Sequence, residues 1–146
     1  MPIGETYGIA DTDVLITQRT EITFADCKIT VFPGLTSGTD NEKSLSVLFQ
    51  PGKRAILITG DQTVAGENAL VATGLPNLDY LVVGHHGSDT STGETLLSAT
   101  RPLCAVISVG ANNRYGHPDQ TVLDRLAAYG CTVLRTDQNG TIIIRG

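Results

Sequence analysis

The run Ala55-Ile56-Leu57-Ile58 constrains this chain more than any other segment. Its continuous apolar character reads as a strand covered on both faces, and the pattern of the chain changes there. Upstream, every structured segment reads as strand: Asp13–Thr17, Glu21–Phe24, Lys28–Phe32, and then Ser44–Gln50, joined to Ala55–Thr59 by the turn Pro51-Gly52-Lys53. The intervening stretch Pro33–Lys43, rich in Gly, Thr, Ser, Asp and Asn, reads as a loop long enough to favour a functional role. Downstream, strands alternate with helices: a helix over Val64–Ala72, a strand at Tyr80–Val83, a helix near Gly93–Ala99 and a strand at Ala105–Val109. A third helix is expected over Pro118–Tyr129, with Pro118 in its first turn, Val122, Leu123 and Leu126 on its apolar face and Gly130 as its stop. Strands at Thr132–Arg135 and Thr141–Ile144, separated by the turn Asp137-Gln138-Asn139-Gly140, close the chain.

A strand-rich part over 1–60 followed by alternation over 61–146 predicts a layered α/β domain with a mixed sheet and outer helices. In such folds the chemistry gathers at the C-terminal ends of the strands. The length of 146 residues suits one domain with one core, and 40% hydrophobic against 17% charged residues excludes a disordered chain. No apolar run approaches the ~20 residues that cross a bilayer, and Met1-Pro2-Ile3-Gly4-Glu5 lacks the features of a signal peptide. The chain is therefore expected to be soluble, without membrane contact of its own. Its net charge of −5, with no cluster of Lys or Arg, excludes nucleic-acid binding through a basic face alone. A phosphate-bearing substrate would need metal ions to offset its charge. Cys27, Cys104 and Cys131, without any Cys-x-x-Cys spacing, read as free thiols buried in apolar strands rather than as a zinc knuckle or a disulfide framework.

Several polar residues interrupt these strands at their tips. Asp61 follows Ile56-Leu57-Ile58-Thr59-Gly60, where a carboxylate can be a metal ligand or can cap the helix that starts soon after. His85 and His86 follow Tyr80-Leu81-Val82-Val83-Gly84, and an adjacent pair lets one imidazole bind while the other donates a hydrogen bond or a proton. In the hydroxyl-rich loop Ser88-Asp89-Thr90-Ser91-Thr92, Ser91 or Thr92 is the expected helix cap and Ser88 the candidate for oxyanion binding. His117, in Asn112-Asn113-Arg114-Tyr115-Gly116-His117-Pro118, should open on the same rim, near a metal or simply ahead of the third helix. Neither Gly-x-Ser-x-Gly, a Walker loop nor Gly-x-Gly-x-x-Gly is present. Serine catalysis would need an unrelated arrangement of Ser88, His86 and Asp61.

Thr59-Gly60-Asp61, Val83-Gly84-His85-His86-Gly87-Ser88 and Ser108-Val109-Gly110-Ala111-Asn112-Asn113-Arg114-Tyr115-Gly116-His117-Pro118 resemble the C-terminal half of a metallo-β-lactamase-fold domain. The resemblance is to the domain of ComEC-type DNA-uptake (competence) proteins, and Asn41-Glu42-Lys43-Ser44-Leu45 and Arg135-Thr136-Asp137-Gln138-Asn139-Gly140 extend it over about residues 40–146. It implies an αββα sandwich whose members are hydrolases with two metal ions, zinc or manganese, this branch being associated with nucleic-acid phosphodiester cleavage. By that resemblance Asp61 bridges the metals, His85 or His86 is a ligand or an immediate neighbour, and His117 lies close by. Asp61, His85 and His86 are thus the candidate metal ligands, with Ser88 and His117 completing the candidate catalytic set.

The family's His-x-His-x-Asp-His cluster is missing from the sequence, so the chain resembles one half of such a domain. Two expectations follow. One is a metal-dependent hydrolase acting on nucleic acid or another phosphodiester in DNA uptake, its relatives being attached to a membrane channel. The other is a non-catalytic half-domain or interaction module, which would expose apolar surface and either self-associate or pair with the missing N-terminal half.

Overall fold

The computed structural model describes residues 16–145, so the strand expected at Asp13–Thr17 lies largely outside the described residues. Strands β1 (Thr20–Phe24), β2 (Cys27–Phe32), β3 (Ser46–Pro51), β4 (Ile56–Ile58), β5 (Tyr80–Val82), β6 (Cys104–Ile107) and β7 (Thr132–Arg135) form one sheet in sequence order. Pairings from β1 to β4 are antiparallel and those from β4 to β7 are parallel. Connection length explains the hairpins β1–β2 and β3–β4 and the parallel pairs that follow. Short turns at Ala25-Asp26 and after Pro51 permit only antiparallel return, whereas each later pair is joined through a helix. These helices are α1 (Val64–Val71), α2 (Glu94–Thr100) and α3 (Gln120–Ala128), as the change of pattern after Ile58 predicts.

The parallel strands advance in one direction with no reversal of order, and crossovers of one hand then place all the helices on one side. Leu48, Leu57, Leu81 and Ala105 stand as register neighbours across β3 to β6 and are buried with Leu70, Leu96, Leu97, Val122 and Leu126 of the helices. Val47, Ile58, Val82 and Val106 form the matching row on the other face, and Phe49, Ile56, Tyr80 and Cys104 form a second. That face is apolar as well, yet its residues are half-buried or exposed, Ile58 at 40%. The strand expected to be covered on both faces is covered by described residues on one. All three cysteines are free, with Cys27 and Cys131 buried and Cys104 half-buried on the open face. No helix among the described residues is long and apolar enough to cross a membrane.

Two expected elements differ. Thr141–Ile144 is not a strand; instead Thr136–Asn139 forms a single helical turn, α4, after β7. The Arg135 backbone N–H donates to the Asn139 side chain at 2.9 Å, and the Arg135 guanidinium donates to both Asp137 carboxylate oxygens at 3.0 and 2.6 Å. These local bonds close the turn on itself rather than open a hairpin. Helix α3 starts at Gln120, not Pro118, because Asp119 is its cap: Asp119 Oδ1 accepts from the Thr121 N–H and hydroxyl at 2.8 and 2.7 Å. Pro118 is left outside the helix and packs elsewhere.

Candidate functional site

Loops after β4, β5 and β6 meet at one rim of the sheet. The β4 loop is the turn Thr59-Gly60-Asp61, in which Gly60 has φ +61° and a Cβ there would come within 2.9 Å of the Leu45 carbonyl oxygen. The expected functional loop Pro33–Lys43 serves here as a buttress. Gln62 donates its side-chain amide to the Ser44 carbonyl, and Thr63 donates its hydroxyl to Glu42 at 3.2 Å. Glu42 also accepts from the Thr39 N–H at 2.8 Å, and these bonds, the Thr39 backbone bond foremost, hold its pKa below the ordinary carboxylate value. Thr63, not Asp61, occupies the cap position of α1, so the capping alternative for Asp61 falls away.

After β5 the chain makes a tight turn, Gly84–Gly87, in which both His85 (φ 47°) and His86 (φ 55°) adopt left-handed backbone. Two consecutive non-glycine residues in that region are costly and persist where the surroundings over-determine them. Here the surroundings are visible. The His85 N–H donates to the Gly60 carbonyl at 3.0 Å, tying this turn to the Asp61 turn. The Ser91 hydroxyl donates to the Gly84 carbonyl at 2.8 Å, and the His86 Nδ1–H donates to the Ser108 carbonyl at 2.7 Å. A carbonyl only accepts, so His86 carries a proton on Nδ1 and, when neutral, keeps its free lone pair on Nε2. His85 Nδ1 has a longer contact to the Thr90 hydroxyl at 3.4 Å.

Ser91 and Thr92 are buried, and neither caps α2, whose cap position is Gly93; the backbone just ahead of that helix is held instead by Glu67 of α1. Its carboxylate, fully buried, accepts from the Thr92 and Gly93 N–H groups at 2.6 and 2.8 Å. Burial raises the Glu67 pKa against the opposing pull of those two N–H donors and of Arg125. Arg125 in turn donates to the Ser91 and Thr92 carbonyls at 3.1 and 2.7 Å. The loop carrying His85 is thus clamped from beneath by α1 and α3. A Glu in the first turn of a helix carries no sequence mark of such a role, and reading the sequence missed it.

The β6 loop delivers His117. Asn113 brackets it: Asn113 Oδ1 accepts from the His117 N–H at 3.0 Å and Asn113 Nδ2 donates to the His117 carbonyl at 2.7 Å. Gly87 (φ +84°) fixes this loop against the previous one, since a Cβ on it would lie 2.6 Å from Pro118 Cβ, and the Asp119 N–H donates to the Gly87 carbonyl at 2.8 Å. The His117 ring lies 5.9 Å from that of His85, edge to face, and 5.9 Å from that of Tyr115, nearly parallel.

These loops bring Asp61, His85, His86 and His117 together with Tyr115 around a pocket of about 250 Å³. Ser88 is not brought in. It is buried, and its hydroxyl bonds with that of Thr90 at 3.0 Å within its own loop. A carboxylate and imidazoles at one rim are the donor chemistry of a divalent metal site. Yet no group of three or more His, Cys, Asp or Glu residues close enough to hold an ion occurs among the described residues. The donors fit a metal in kind, but not in number.

No known family profile matches the chain. It is 46% identical over 107 residues to ComE operon protein 3 of Bacillus subtilis, the match covering 72% of this chain and 14% of that protein. It is 43% identical to competence protein ComA of Neisseria gonorrhoeae over 70% of this chain and 15% of that protein. Recombination protein 2 of Haemophilus influenzae is 42% identical over 70% of this chain and 13% of its own length. The chain thus spans about one seventh of the length of these relatives. Among solved structures, the E377D mutant of CmlA β-hydroxylase superposes with a TM-score of 0.59 over 85% of this chain and 32% of that one, at 14% identity. The mixed sheet with its helices to one side shares the metallo-β-lactamase fold of that structure, and by its identity to the three relatives the chain belongs to the family of these competence proteins.

Proposed function

We propose that this chain supplies one side of a metal-dependent hydrolytic site that cleaves phosphodiesters during DNA uptake. The observation that carries this reading is the convergence of Asp61, His85, His86 and His117 at the C-terminal ends of three adjacent parallel strands. Similarity to proteins named for competence supplies the biological setting. Zinc or manganese, when bound, would polarise the phosphoryl oxygen and lower the pKa of a coordinated water. Asp61, His85 and His86 are the residues that would hold the ions, with the remaining donors contributed from outside the described residues. Within the chain, the Ser108 carbonyl fixes His86 so that Nε2 is its free donor atom, and Asn113 fixes the backbone of His117 within the same pocket. The net charge of −5 agrees with neutralisation of a phosphate by metal rather than by lysines.

The test measures zinc or manganese bound per chain, and cleavage of bis(p-nitrophenyl) phosphate, for the wild type and Asp61→Ala. Weak metal binding by the chain, and metal-dependent cleavage once the remaining donors are supplied, are expected, both lost in the variant. Absence of metal binding, or cleavage indifferent to Asp61, contradicts the proposal.

A second reading is favoured by the open apolar face around Ile58, Val82 and Val106 and by the short count of metal donors. In it the chain is a non-catalytic half-domain that pairs with another sheet, in a second copy or in a missing N-terminal half. Size in solution discriminates. A monomer that melts cooperatively and binds metal counts for the first reading, and a dimer that binds none counts for the second.

A further inference from the structure

A second pocket, of about 420 Å³, lies beside the first, and His86, Tyr115 and His117 line both. Its remaining wall is of a different character. Ser108, Val109, Gly110, Asn113 and Thr136 form it: Val109 and Gly110 contribute apolar and backbone surface, the Thr136 hydroxyl is engaged by the Val109 N–H at 2.8 Å, the Ser108 carbonyl by His86 and the Asn113 amide by His117. A Cβ on Gly110 would meet nothing within 4 Å, so the floor there is open. No carboxylate, Lys or Arg side chain lines this pocket. It lies within the usual size of small-molecule sites, ~300–1,000 Å³, and has their lining.

The Tyr115 ring stands at the wall between the two pockets and is 67% exposed. The Arg114 guanidinium lies 4.9 Å from the ring centroid and donates to the Tyr115 hydroxyl at 2.7 Å. It pairs with no carboxylate among the described residues. In a chain of net charge −5, an exposed cation held on an aromatic residue at the rim of such a pocket is placed to take an anion.

We infer that this second pocket is a nucleobase subsite: it receives the base of the nucleotide next to the phosphodiester held in the Asp61 pocket. Tyr115 forms its wall and Arg114 contacts the adjoining phosphate. The choice of a nucleic-acid strand as occupant rests on the phosphodiester reading above. The chemistry of the wall narrows that choice to an unpaired strand. Aromatic and apolar surface takes the π-face of any base and has no use for a phosphate. A base inside a duplex is stacked and cannot enter a recess without leaving the helix.

The experiment is an amide NMR titration of the metal-free chain with the dinucleotide d(TpT), with its abasic counterpart, and with a short duplex. The wild type should show saturable shifts at Val109, Gly110 and Thr136 with d(TpT), and far weaker ones with the abasic compound or the duplex. Tyr115→Ala should weaken d(TpT) binding by roughly 5- to 100-fold, the range for loss of one base–aromatic stack, and Tyr115→Phe should stay within about twofold. Arg114→Ala should weaken it by a smaller factor and flatten its dependence on salt. The inference is overturned if d(TpT) leaves those amides unmoved, if the abasic compound or the duplex binds as well, or if Tyr115→Ala binds like the wild type. No metal enters this titration, so its outcome is separate from that of the hydrolase proposal. A Tyr115-dependent base site in a chain that binds no metal keeps the subsite and removes the hydrolase reading. Metal-dependent cleavage without Tyr115-dependent binding does the reverse.

Discussion

The two faces of the sheet carry nearly the same apolar chemistry and have opposite environments. Leu57, Leu81 and Ala105 are fully buried beneath α1, α2 and α3, whereas Ile58, Val82 and Val106, one residue further along the same strands, are not. Sequence alternation alone cannot make that distinction, because both rows are hydrophobic. Topology makes it: strands that advance in one direction send every crossover helix to one side. Among the described residues one face of the sheet is closed by helices and the other is open. The candidate site sits on the rim between them, its loops anchored from the closed side.

Substitutions along one strand test this contrast most sharply. Leu81→Ala should destabilise the chain by about 2–5 kcal/mol, as for a closely packed core leucine, read as a lower urea midpoint with unchanged slope. Next comes Glu67, the buried carboxylate beneath the His85 loop. Glu67→Ala leaves the Thr92 and Gly93 N–H groups buried without partners and should lose about 2–4 kcal/mol. Its pKa is raised in the fold, so its stabilising contribution is complete below the ordinary value of 4.5 and is lost as pH rises through the folded value. The stability of the wild type relative to Glu67→Gln should therefore fall as pH rises through that window. A flat difference would show that Glu67 is not perturbed.

Smaller effects are expected nearer the rim and on the open face. Gly87→Ala forces a side chain towards Pro118 at a positive φ and should lose about 1–3 kcal/mol, with the His117 ring signals displaced. Val82→Ala, adjacent to Leu81 but on the open face, should change stability by less than about 1 kcal/mol in the isolated chain. If Val82→Ala proves as damaging as Leu81→Ala, the open face is already covered in solution, and a matching increase in size would identify the cover as a second copy. Cys104 gives a reagent-based check of the same contrast. It should react with a thiol reagent faster than buried Cys27 and Cys131, although burial raises its pKa.

Much of this was legible in the sequence because it rests on period and punctuation. The change from strands to alternation after Ile58 located three helices and the strands between them, and strand tips marked Asp61, His85, His86 and His117 as residues of one rim. What stayed hidden depends on partners distant in the chain. Glu67 looks like any helical glutamate until Thr92 and Gly93 are folded above it. Tyr115 looks like a loop residue until it stands between two pockets. Ser88 reads as an available hydroxyl in a polar run, and only the fold turns it into the loop's own interior. Thr141–Ile144 has the composition of a strand, but the bonds that Arg135 makes to Asp137 and Asn139 shut the turn before it.

The central claim is that Asp61, His85, His86 and His117 act as one side of a metal site. A zinc titration followed through the imidazole resonances of the three histidines, in the wild type and in Asp61→Ala, tests it most directly. The account predicts that the His85 and His86 signals move together on weak, saturable binding, that His117 responds with them, and that Asp61→Ala weakens the binding at least tenfold. Zinc that leaves the imidazoles unmoved, or moves them equally without the Asp61 carboxylate, would contradict it.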